Sequence, residues 1–111
     1  MSVNRISESE QERLGLFTEE MGEAQQVLGK ILRHGLDSRN PLLVAAPDNN
    51  ALLEEEAGDV LAALDLLTAA GTLNLERVQQ ARLRKLEKLK RWLHCSDNLA
   101  AVQELLGRDG R

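Results

Sequence analysis

The stretch GLFTEEMGEAQQVLGKILRHG, residues 15–35, decides the fold. Leu14, Phe17, Met21, Ala24, Val27, Leu28, Ile31 and Leu32 recur every three or four positions, the period of a helix with one apolar face. Ser7 followed by Glu10 has the form of a capping box, so this helix is expected to begin near residue 8 and to close at Gly35. At ~1.5 Å per residue it would be roughly 40 Å long. Inside it lies the phrase EEMGE, residues 19–23, and a near copy, EEAGD, recurs at 55–59.

The copy sits in LLEEEAGDVLAALDLLTAA, residues 52–70, a second helical stretch with Asp48, Asn49 and Asn50 as candidate caps and Gly71 as its end. Between the two, LDSRNPLLVAAPD holds both prolines and reads as an ordered loop. Asn74 is placed to cap a third helix, LERVQQARLRKLEKLKRWL, and a short fourth is expected over 97–106, ended by Gly107 and a polar tail. The core must be aliphatic, because the 111 residues include one Phe, one Trp and no Tyr. That composition disfavours sheet. One all-α domain is expected over 1–111, a four-helix bundle with its core near 8–95.

Charge and cysteine usage exclude several classes. Cys95 is the single cysteine, so no disulfide can form within the chain, and a reducing, cytoplasmic setting is expected. No run of ~18 apolar residues exists and the N-terminus lacks an apolar signal core, so no membrane association is expected. Residues 1–59 carry twelve acids against five Lys/Arg, whereas 76–93 carry seven Lys/Arg against two acids. The basic stretch is expected to be a solvated helix face. An acidic chain poor in aromatics offers no extended surface for nucleic acid, and none is expected as a partner.

Residues three apart on a helix share a face. Glu20 and Glu23 therefore point one way, and so do Glu56 and Asp59; each pair lies on the apolar side of its helix, followed by Val27 and Ile31 or by Val60, Ala63 and Leu67. If those faces pack, four carboxylates meet at one level and require a counter-charge. Lysines could supply it, but a hard divalent cation fits an all-oxygen set better, Mg²⁺ foremost with Mn²⁺ as a substitute. The repeated glycines, Gly22 and Gly58, are expected to mark a close approach of backbone or ligand.

EEMGE followed by EEAGD resembles the EExxE…ExxD signature of the MazG-like all-α nucleoside triphosphate pyrophosphohydrolases, over roughly residues 10–95. The longer stretches EEMGEAQQVLGKILRHG and LLEEEAGDVLAALDLL resemble small phage and bacterial members. Thirty-two residues separate Glu23 from Glu56, a longer connector than the family usually shows. The resemblance implies hydrolysis of a nucleoside triphosphate to monophosphate and pyrophosphate with Mg²⁺. It implies Glu20, Glu23, Glu56 and Asp59 as metal ligands, and Glu19 and Glu20 as the catalytic pair, with Glu19 holding a further metal or orienting water. Glu55 is expected to be solvated. The rivals are phosphoribosyl-ATP hydrolysis and a non-enzymatic helical interaction module whose acids are solvated or paired with lysine.

Substrate contacts are expected from the surroundings. Lys30 and His34 follow Glu20, Glu23 and Val27 on one stripe. Arg82 interrupts an apolar stripe of Leu75, Val78, Leu86, Leu89 and Leu93, with Lys85 close by and Lys88 and Arg91 as weaker candidates. Asn49 and Leu52 can line a base pocket if the second helix begins early. Trp92 is expected to close the bundle, and Cys95 to be inert. Helices this short leave one wall of the site uncovered, so oligomerisation, as a homodimer or homotetramer, is expected to complete it.

Overall fold

The computed structural model describes residues 5–109; residues 1–4 and 110–111, the last of the expected polar tail, lie outside them. Four α-helices occur in this span and no strand: α1 Glu8–His34, α2 Asn49–Ala69, α3 Leu75–Trp92 and α4 Ser96–Asp109. They fall into two compact units, Met1–Ala70 and Gly71–Arg111. None of these helices is long and apolar enough to cross a membrane.

The first unit is a hairpin of α1 and α2. Ser7 starts α1 as expected, its Oγ accepting the Glu10 N–H at 3.1 Å. Gly35 ends it with φ 90°, a conformation that any side chain would strain, and its N–H donates to the Ile31 carbonyl. Asp48 caps α2 by accepting the Ala51 N–H at 2.9 Å. The connecting loop is ordered, as its sequence indicated. Asn49 and Asn50 donate their backbone N–H groups to the Ser38 and Leu36 carbonyls, while Asn40 turns the chain by accepting the Leu42 N–H. These bonds hold the end of α1 against the start of α2, so the helices run antiparallel. Val27, Ala46, Ala63 and Leu67 are the buried apolar residues of the unit.

In the second unit Asn74 caps α3 by accepting the Arg77 N–H at 3.0 Å. The helix packs on α4 through a stripe that differs from the expected one. Leu86 is buried and Leu83, Leu89 and Leu93 are half-buried, whereas Leu75 and Val78 stand exposed. α4 is 14 residues long, so Gly107 lies inside it rather than ending it. An isolated glycine costs only ~1 kcal/mol in a helix, and Arg108 pairs with Glu104 across the same turn. Trp92 is 73% exposed and covers no core, contrary to the expectation that it would close the bundle. Cys95 is free and exposed.

Candidate metal centre

Because α1 and α2 run antiparallel and pack along their apolar faces, the two acidic phrases come level. One carboxylate oxygen from each of Glu20, Glu23, Glu56 and Asp59 lies within 4.8 Å of the others. Glu20 and Glu56 are half-buried and Asp59 is exposed, so the cluster opens to solvent on one side. Oε2 of Glu20 and Oε2 of Glu56 are buried and accept no hydrogen bond. Neither Lys30 nor any arginine of the unit pairs with the four among the described residues. Arg13 pairs with Glu10, and Arg33 donates Nε to the Gly29 carbonyl of its own helix.

The electrostatics follow from that crowding. Burial pushes the Glu20 carboxyl above the usual carboxylate range, and the charges of Glu23, Asp59 and Glu19 push the same way. Burial likewise raises Glu56, with Glu23, Asp59 and Glu20 adding to it. Two orphaned, buried carboxylate oxygens inside a like-charged set are a stored electrostatic cost, which a cation would relieve. The donor set would fit a hard cation: all four groups offer oxygen, and none is Cys or His.

The other expected residues fall variously around this cluster. Glu19 is exposed and is not one of the four convergent acids, though its charge reaches Glu20. Glu55 is exposed, as expected. Lys30 and His34 are exposed on the last turns of α1, two and three turns beyond Glu23. Asn49 is buried at 6% exposure, but its Nδ2 donates to the Gly35 carbonyl at 3.1 Å. Its side chain thus fastens the two helices of the hairpin. Leu52, its companion on the expected pocket wall, is half-buried on α2. Arg82 and Lys85 are exposed on α3 in the second unit.

Gly22 and Gly58 require a correction. At ~100° per residue each lies about 200° round its helix from the glutamate two positions earlier, facing away from the cluster. A Cβ at either would meet nothing within 4 Å, so no backbone approaches there. Arg13 went unnoticed in the sequence, although it stands seven residues before Glu20 and therefore on the same stripe. Its side chain is 22% exposed, and its Nε is buried without an acceptor. Compared with known proteins, the chain matches no family model, no curated protein and no solved structure.

Proposed function

We propose that this protein is a Mg²⁺-dependent nucleoside triphosphate pyrophosphohydrolase that converts an NTP or dNTP to the monophosphate and pyrophosphate. Four carboxylate oxygens gathered within 4.8 Å, two of them from residues with buried, partnerless Oε2 atoms, support that assignment above all. Glu20, Glu23, Glu56 and Asp59 would hold the cation, with Mn²⁺ able to replace Mg²⁺. A bound divalent ion supplies charge neutralisation of the polyphosphate and acidification of water. Glu19, exposed beside the cluster, is assigned to orient the attacking water and accept its proton, and Glu20 shares the catalytic role as the member of the cluster that the Glu19 charge reaches. Lys30 and His34 extend toward solvent further along α1 and are assigned to the substrate's phosphates or base. The likeness of EEMGE and EEAGD to the MazG-like signature adds to this reading.

The active assembly in this proposal is a homodimer or homotetramer. The later half of α2, residues 60–67, is apolar apart from Asp65, and Leu61 and Leu66 remain 61% and 44% exposed. Leu28 and Leu32 of α1 are likewise uncovered. Exposed aliphatic side chains gathered on neighbouring helices suit a face that another copy covers. Arg82 and Lys85 of a neighbouring copy would then supply cationic contacts to the substrate.

Incubating the purified protein with a panel of NTPs and dNTPs in Mg²⁺, and resolving products by chromatography, tests the assignment. Monophosphate and pyrophosphate in equal amounts are expected from at least one substrate. A protein that leaves every nucleotide intact and whose thermal stability is the same with and without Mg²⁺ would point to the non-enzymatic module instead.

A further inference from the structure

We infer that Arg13 is the anion anchor of this site, a guanidinium that holds the outer phosphate of a polyphosphate whose remaining oxygens reach the four carboxylates through the divalent cation; this rests on the polyphosphate reading given above. Arg13 and Glu20 lie on one stripe of α1, two turns or about 10 Å apart along the axis. The arginine side chain is 22% exposed, its Nη2 donates to Glu10 Oε2 at 3.3 Å, and its Nε is buried and donates to nothing. A buried charged donor without an acceptor is costly, just as a buried carboxylate oxygen without a donor is. The hairpin thus holds two unmet demands on one face: an orphaned cationic donor, and two turns away the orphaned Oε2 atoms of Glu20 and Glu56.

One ligand chemistry meets both demands: a chain of phosphates with a divalent ion at one end. The ion satisfies the carboxylates, and the free phosphate oxygens accept from the guanidinium, whose planar fork suits them. Two helical turns is a span that a short polyphosphate and an extended arginine side chain cover together. Among the described residues of this unit Arg13 is the one half-buried Lys or Arg, whereas Arg5, Lys30, Arg33 and Arg39 are exposed and Arg33 donates to its own helix.

The test is equilibrium binding of inorganic pyrophosphate to the full chain in saturating Mn²⁺, with Mn²⁺ binding itself followed separately by its magnetic-resonance signal. Arg13→Gln should leave Mn²⁺ binding unchanged and weaken pyrophosphate about ten- to a hundredfold. Arg13→Lys should recover part of that loss, since it keeps the charge but not the fork. Glu10→Gln, which frees the guanidinium, should leave pyrophosphate affinity equal or tighter. Unchanged pyrophosphate affinity in Arg13→Gln, with Mn²⁺ still bound, overturns the anchor while sparing the metal centre. Equal weakening by Glu10→Gln and Arg13→Gln overturns it too, because the two would then be only a structural pair. A wild-type chain that takes up no Mn²⁺ removes the hydrolase reading, and the anchor with it.

Discussion

Glu20 and Glu56 carry the strongest evidence of purpose, because each keeps a buried oxygen without a partner beside other acids. Their folded-state pKa values are raised, so the folded chain holds more protons than the unfolded one between the ordinary glutamate value, about 4.3, and the raised values. Stability in chelator should therefore be greatest below that window and fall as pH climbs through it. Thermal melts in EDTA across this range check the slope, and the double variant Glu20→Gln/Glu56→Gln should flatten it. Metal binding needs the deprotonated forms, so Mn²⁺ affinity should move oppositely, tightening as pH rises. Glu23→Gln and Asp59→Asn should each reduce pyrophosphate release to background with the helical circular dichroism intact. Either one remaining active would mean the wrong ligands have been assigned. These four acids were legible at a three-residue spacing. Arg13 was not, because a half-buried arginine at i−7 looks in sequence like any helical surface cation, and only its unmet Nε distinguishes it.

At the scale of elements, capping chemistry and periodicity announced the helices. Ser7, Asp48 and Asn74 each accept the backbone N–H three residues on, and Gly35 ends α1 at positive φ. The fourth helix ran past its expected end because a lone glycine is a weak stop without a following residue that prevents helix. Asn49 illustrates the limit differently. A polar residue in the first turn of α2 suited a pocket wall equally well, yet the loop's path delivers its amide to Gly35. Asn49→Ala should cost about 1 kcal/mol, since it removes a part-buried hydrogen bond to a carbonyl that water can still reach, and urea melts would register this as a lower midpoint. A variant as stable as the parent would show that water replaces the amide. Leu67→Ala, at a side chain only 1% exposed, should cost about 2–5 kcal/mol by the same measurement.

For the whole molecule the decisive quantity is the linkage between metal and folding. A cation bound only by the folded chain stabilises it by mass action, about 2.7 kcal/mol when present at a hundred times its Kd. Mg²⁺ should therefore raise Tm, and Glu23→Gln or Asp59→Asn should abolish that rise; a Tm indifferent to Mg²⁺ would leave the acids without a ligand. Exposed aliphatics on α1 and α2 belong to the same scale. Light scattering should give the mass of a dimer or tetramer, and a monomer with full activity would end the proposal that a second copy completes the site.

By itself the amino-acid order determined the helical class, the Ser7 and Asn74 caps, and which acids share a face of their own helix, because all of these depend on residues within about one turn of each other; it left the α2 cap among Asp48, Asn49 and Asn50. Only tertiary packing decided that Glu20 and Glu23 meet Glu56 and Asp59, that Asn49 is a fastener, that Trp92 is bare and that Leu83 joins the stripe of α3 while Leu75 and Val78 stay exposed. The reason is physical: local periodicity specifies which way a side chain points from its helix axis, whereas its neighbours depend on the axial register and rotation that loop and core settle together.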